Sequence, residues 1–199
     1  CINFAHYLAL KGYRVLVIDT DSQATTTSMF GYVPDEEIRQ EDTILGYLDG
    51  THSTLQPVVR RTYFPNVDLV PACLALYEAE IALVIHIAEQ SSLEARREVF
   101  AELGYGIQSV ADQYDVVLLD SPPALGVISL NVLLAADALL VPTAASHLNP
   151  TVSGALSGIR VEKPDGTEFL KAFAFRRPPP WLAALQGQDV EPADAPAMA

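Results

Sequence analysis

VLVIDTDSQATTT, residues 15 to 27, places two aspartates, Asp19 and Asp21, behind a four-residue apolar run and follows them with a glutamine and three threonines. A continuous, β-branched apolar run too short for a helix reads as a strand covered on both faces. One ionised carboxylate at the end of such a strand is easily solvated. Two carboxylates one residue apart, facing a crevice, invite a cation or a water that needs orienting. In a regular strand Asp19 and Asp21 share a side, and a turn after Ile18 points both into the crevice.

Upstream, Ile2, Phe4, Ala5, Leu8 and Ala9 fall near one helical face over residues 1–11, and Gly12 supplies a stop just past the last turn. Downstream, strand-like runs recur as VDLVPA (67–72), DVVLLDSPP (115–123) and ALLVPTAA (138–145), each breaking off at Asp or Pro. Helical patterns run from Leu76 to Ala88 and from Ser92 to Gln113. In the second, Ser91 and Glu94 have capping-box spacing, and Leu93, Phe100, Leu103, Ile107 and Val110 supply an apolar stripe. Strands alternating with helices of this length predict an α/β fold, a mostly parallel sheet with helices on both faces. Ligands bind such sheets at the carboxyl ends of the strands, where Asp19, Asp21 and Asp120 all fall. Residues 31–66 read as a polar surface insertion with one short apolar helix around Thr43 to Leu48. The pattern degrades from about Pro164, and the last twenty or so residues read as disordered.

The 199 residues suffice for one domain, and half of them are hydrophobic, enough for a substantial core. With 25 acidic against 12 basic residues the net charge is −13, which excludes a constitutive whole-surface nucleic-acid binder but leaves room for a local basic patch. Arg160, Lys163, Lys171, Arg176 and Arg177 outnumber Glu162, Asp165 and Glu168, so the last third offers either a weak basic patch or an ordinary solvated tail. Cys1 and Cys73 are too few and too far apart for a disulfide framework or zinc knuckle, which points to a reducing compartment. His6, His52, His86 and His147 share no metal-ligand spacing. No run approaches the roughly 18 apolar residues of a membrane span. The chain opens at Cys1 inside a helical pattern, as expected of a fragment that continues upstream.

Three carboxylates from two strand ends suit a hydrated Mg²⁺, which keeps several waters and is held through carboxylates and substrate phosphates. The plainer alternative for any one of them is a helix cap after a strand, and Thr25, Thr26 and Thr27 suit such a cap and a ligand contact equally.

GYRVLVIDTDSQATTTSMFGY resembles the signature of the ParA/Soj partition ATPases, of the deviant-Walker P-loop superfamily, in which a strand ends in D-x-D-x-Q. YDVVLLDSPPALGVISLNVLLAADALLVPT resembles that family's Walker B strand and switch II, and VDLVPACLALYEAEIAL its L-V-P-A-N…L…A-E stretch. The resemblance covers residues 1 to about 155. It implies that Asp21 helps orient the hydrolytic water, that Asp19 supports the Mg²⁺ water shell, and that Asp120 is the Walker B carboxylate on the metal side. It places Pro122, Pro123 and Gly126 in the γ-phosphate-sensing switch II. It further implies ATP and Mg²⁺ as cofactors, an ATP-dependent homodimer, non-specific DNA and a centromere-binding ParB-type adaptor as partners, and a cytoplasmic, nucleoid-associated role in plasmid or chromosome partition.

The family's phosphate cradle, a glycine-rich loop ending in G-K-[ST], has no match in these residues, so the expectation is weak ATP binding and no hydrolysis by this chain. The expected organisation is a partial NTPase-like domain over 1–160 and a poorly patterned tail over 161–199. A MinD-like membrane cycler would end in a basic amphipathic helix, whereas WLAALQGQDVEPADAPAMA is acidic and proline-broken, so no membrane partner is expected. A nitrogenase-type iron protein would need cysteines near Asp120. The rival from another class is a non-catalytic, degenerate paralogue that keeps the sheet and acts as an interaction module.

Overall fold

The computed structural model describes residues 1–140 and the strand residues 161–162, 168–169 and 172–173. The chain divides into two compact units, Cys1–Ala136 and Asp137–Ala199. In the first, α1 (Ile2–Leu10) leads into β1 (Val15–Asp19), followed by α2 (Thr25–Met29), α3 (Ile44–Leu48), β2 (Arg60–Arg61) and β3 (Val67–Val70). Then come α4 (Leu76–Glu89), α5 (Leu93–Gln108), β4 (Val116–Asp120) and α6 (Val127–Ala135). The sheet order is β2-β3-β1-β4. β1 is parallel to both of its neighbours, and only the two-residue β2 runs antiparallel, so the expected mostly parallel α/β architecture is the one observed.

Every residue of β1 is buried. Leu16 and Ile18 join a core of Ile44, Tyr47, Leu103, Ile128 and Val132 from α3, α5 and α6. Val15 and Val17 point to the opposite face by strand alternation and are equally buried, and α1 packs on β1 and β3 through Ile2, Ala5, Leu8 and Ala9. The turn from α1 to β1 depends on Gly12, whose φ of +92° is the left-handed conformation glycine adopts without steric cost. Its N–H donates to Ala9 O at 2.9 Å and the Tyr13 N–H to Leu8 O at 3.2 Å, which closes the helix with both bonds of a Schellman motif.

β1 and β4 are aligned at their start by one side chain. The Asp115 carboxylate accepts from the Arg14 backbone N–H at 2.8 Å and from its guanidinium at 2.8 Å. Bonding to Arg14 lowers the Asp115 carboxyl to about 2. The sign follows: this carboxyl favours the folded state above its ordinary pKa and loses that contribution as pH falls through its folded value. A carboxyl-detected NMR titration is expected to find the Asp115 midpoint near 2 in the native chain and back in the ordinary carboxylate range in Arg14→Leu. The register then runs Val15↔Val116 through to Asp19↔Asp120. β4 is half-buried along its whole length and, among the described residues, is the outer strand of the sheet.

Two expectations change. The cap of α5 is Ser92, whose Oγ accepts the Ala95 N–H at 3.0 Å, not Ser91, and Leu93 is 67% exposed rather than part of the stripe. Residues 31–66 are more than a surface insertion: Ile44, Leu55 and Val58 have no exposed surface, and α3, capped by Thr43, forms one wall of the core. Of ALLVPTAA the described residues include β5 (Leu139–Leu140), which pairs in parallel with β8 (Ala172–Phe173) in the second unit, where β6 (Val161–Glu162) and β7 (Glu168–Phe169) form a separate antiparallel pair. Residues 141–145, the basic residues Arg160, Lys163, Lys171, Arg176 and Arg177, and the disorder expected of the last twenty residues lie outside the described residues.

Candidate functional site

The register between the two parallel strands sets Asp19 directly beside Asp120 at their carboxyl ends. The backbone knits there as well, since Asp120 O accepts both the Thr20 N–H at 2.9 Å and the Thr20 hydroxyl at 2.8 Å. β1 stops after Asp19, and the chain turns. Asp21 Oδ1 accepts the Gln23 N–H at 3.0 Å and Asp21 O the Ala24 N–H at 2.9 Å, an Asx-type turn that replaces the strand ladder. Ala24, the residue before α2, sits at φ +50°, a left-handed conformation that costs a non-glycine residue about 1 kcal/mol.

The two strand-end carboxylates have different environments. Asp19 has no exposed surface. Its Oδ2 accepts the Thr27 N–H at 2.8 Å and the Thr27 hydroxyl at 2.7 Å, and its Oδ1 the Asp21 N–H at 3.1 Å. Burial pushes its carboxyl above the usual range, the three hydrogen bonds pull it back, and the neighbouring Asp120 adds to the rise. Thr27 Oγ1 in turn accepts the Ala72 N–H at 2.9 Å, so one hydroxyl ties β1, α2 and the residues after β3 together. Asp120 is half-buried and takes the Thr26 hydroxyl on Oδ2. No described residue donates to Asp120 Oδ1 or to Asp21 Oδ2, and both are available to solvent or a ligand.

The contacts of Thr26 and Thr27 with the two strand-end carboxylates are what sequence reading missed. Thr25–Thr27 suggested a helix cap, but the cap position is Ala24 and carries no side-chain bond. Thr26 and Thr27 instead reach back to Asp120 and Asp19. The available signal was spacing: a hydroxyl in the first turn of a helix that starts right after a strand can reach back to that strand's end.

After β4, residues 121–126 form an open loop in which Pro122 is half-buried, Pro123 is exposed and Leu125 is 81% exposed. Gly126 is the residue before α6. Ala124 O accepts the Ser129 hydroxyl at 2.5 Å, and Glu80 Oε1 from α4 accepts the Ile128 N–H at 3.4 Å. The structure thus brings Asp19 and Asp120 together at one strand end, with Asp21 in the turn that follows Asp19 and Pro122, Pro123 and Gly126 following Asp120 in the chain.

Among the described residues no group of three His, Cys, Asp or Glu side chains is arranged to hold a metal ion. An all-protein cage is therefore not what these carboxylates build. A site that supplies one or two carboxylate oxygens suits Mg²⁺, which dehydrates reluctantly and keeps several of its waters.

Residues 1–159 match the family model described as AAA domain (AAA_31). Protein SopA of Escherichia coli K12 is 38% identical over 151 residues, covering 75% of this chain and 38% of SopA. Sporulation initiation inhibitor protein Soj of Bacillus subtilis is 29% identical over 146 residues, 73% of this chain and 52% of Soj. The chain thus spans about half or less of the length of these relatives. Among solved structures, cobyrinic acid a,c-diamide synthase of Mycobacterium smegmatis with a bound ATP analogue and magnesium superimposes with a TM-score of 0.63 at 25% identity, over 87% of this chain and 66% of that one.

Proposed function

The chain belongs to the ParA/Soj-type ATPases of the AAA domain family, and from that premise we propose that it carries the strand-end half of an ATP-hydrolysing site serving plasmid or chromosome partition. The observation that carries the proposal is the parallel register that sets Asp19 beside Asp120, with the Asp21 N–H donating to Asp19 from the turn that follows. Asp120, with one oxygen held by Thr26 and one open, serves on the Mg²⁺ side. Asp21, with Oδ2 open, orients the attacking water. Asp19, the other metal-side candidate, acts on the Mg²⁺ water shell from behind, because its carboxylate is spent on Thr27 and on the amide of Asp21. Pro122, Pro123 and Gly126 form the switch that senses the γ-phosphate. ATP and Mg²⁺ supply the phosphoryl group and the neutralising charge, and the residues supply position. The ligands named for the cobyrinic acid a,c-diamide synthase structure support nucleotide and magnesium as the relevant chemistry.

In this reading nucleotide binding drives homodimerisation and association with non-specific DNA, a ParB-type adaptor stimulates turnover, and the protein works in the cytoplasm on the nucleoid. No described helix is long and apolar enough to cross a membrane. The rival reading, a non-catalytic interaction module, draws on the lack of any Gly-Lys-Ser/Thr sequence in the 199 residues.

One experiment separates the two. Calorimetric titration of the 199-residue chain with ATP·Mg²⁺ is expected to give no micromolar binding, because the phosphates have no lysine or amide cradle here. The same chain preceded in frame by a strand and a G-K-[ST] loop is expected to bind and hydrolyse ATP, and Asp21→Ala to cut that rate ~100-fold or more. An extended chain that binds ATP but never hydrolyses it favours the interaction module.

A further inference from the structure

Gly126 poses a steric question. Its φ of −117° and ψ of −171° are extended backbone that any residue adopts, so conformation does not call for glycine. Space does: a Cβ on Gly126 would overlap the Oε1 atom of Glu80. That same oxygen accepts the Ile128 N–H at 3.4 Å. The first amides of any helix lack intrahelical acceptors, and a carboxylate near them is favoured by the helix dipole. In α6 no side chain of the cap residue fills that role. A carboxylate from a different helix, α4, fills it instead, and the missing side chain at Gly126 is what lets it approach.

We propose that Glu80 is a positioning residue for the switch segment 121–126, fixing the start of α6, and with it the Gly126 end of the loop, from the α4 side. The Asp120 end of the loop is already set by β4, so Glu80 supplies the second anchor. Leu76, the first residue of α4, is fully buried and Ala79 and Leu83 pack half-buried against the core, while Tyr77, Ile81, Val84 and Ile85 are exposed. The inference rests on the reading of residues 121–126 as the switch.

The test is native-state amide exchange on the 199-residue chain, read at Ile128 with Val17 in β1 as the internal control. Glu80→Ala is expected to speed Ile128 exchange about five- to tenfold, the effect of one lost hydrogen bond, with Val17 unchanged. Glu80→Gln keeps an acceptor oxygen and is expected to restore most of the protection, whereas Glu80→Met, which keeps the bulk but has no acceptor oxygen, is expected to exchange as fast as Glu80→Ala, a result that a purely volumetric role would not give. Gly126→Ala, by displacing the carboxylate, is expected to match Glu80→Ala, and the double variant to be no faster than either single one. Unchanged exchange in Glu80→Ala, or effects that add in the double variant, overturns the proposal. If Glu80→Ala does not fold, Gly126→Ala and Glu80→Gln carry the same comparison. None of these outcomes involves nucleotide, so an error in the switch assignment itself surfaces separately, in hydrolysis by the extended chain.

Discussion

Asp19→Ala is expected to lower the unfolding free energy by about 3 kcal/mol or more, the largest effect of any single carboxylate among the described residues. Three donors converge on this side chain: the Thr27 N–H, the Thr27 hydroxyl and the Asp21 N–H. Alanine leaves them facing a void in a site with no exposed surface, and each unsatisfied buried donor costs about 1 to 3 kcal/mol. Relief of the buried carboxylate's own desolvation works the other way, and burial already holds that carboxyl above its usual range. The donors win because they outnumber the single charge and cannot turn to water. Asp19→Asn, which keeps the volume and one acceptor but points an NH₂ at a donor, is expected to fall between wild type and alanine. Urea unfolding reads the result as a lower midpoint at an unchanged m-value.

Gly46→Ala is expected to be nearly as damaging, for a different reason. In the middle of a helix this exchange ordinarily gains about 1 kcal/mol. Here the new Cβ would run into the backbone carbonyl of Glu41, an atom that cannot swing aside. That carbonyl is also held by the His52 ring at 2.9 Å, and the Gly46 carbonyl takes the His52 N–H at 2.7 Å, so the turn before α3 is pinned from both ends. Overpacking of this kind costs about 1 to 3 kcal/mol and more when backbone must move, which outweighs the propensity gain. The net expectation is a loss of about 2 kcal/mol in thermal or chemical unfolding. Gly106, whose Cβ would come within 2.7 Å of the Tyr47 ring, makes a milder comparison because a side chain gives more readily.

Much of the fold was legible because its signals are local. The run ending at Asp19, the stop at Gly12 and the break after Asp120 each announce themselves within a few residues. The cap of α5 slipped by one because Ser91 and Ser92 are adjacent and only backbone conformation distinguishes them. Residues 31–66 misled for a subtler reason: Ile44, Leu55 and Val58 are core residues spaced with no single period among polar neighbours, so no face is visible in the sequence. At the site, the aspartates could be named in advance, but their partners could not. Thr26 meets Asp120 across 94 residues, and Glu80 meets Ile128 across 48. Such bonds depend on strand order and helix placement, which no local pattern encodes.

The half-buried outer strand β4 has a consequence for how this polypeptide behaves as a substance. Four apolar residues, Val116 to Leu119, line a ladder whose far-side amides and carbonyls have no strand beside them among the described residues. Such an edge is a template for any extended chain, and proteins normally blunt it with lysine, proline or a bulge. Within Val116–Asp120 none of these is present until the chain leaves the strand at Ser121–Pro122. Among the described residues, then, the strand that delivers Asp120 is also the one whose outer ladder carries none of these devices, so it is the place where an added extended segment would pair.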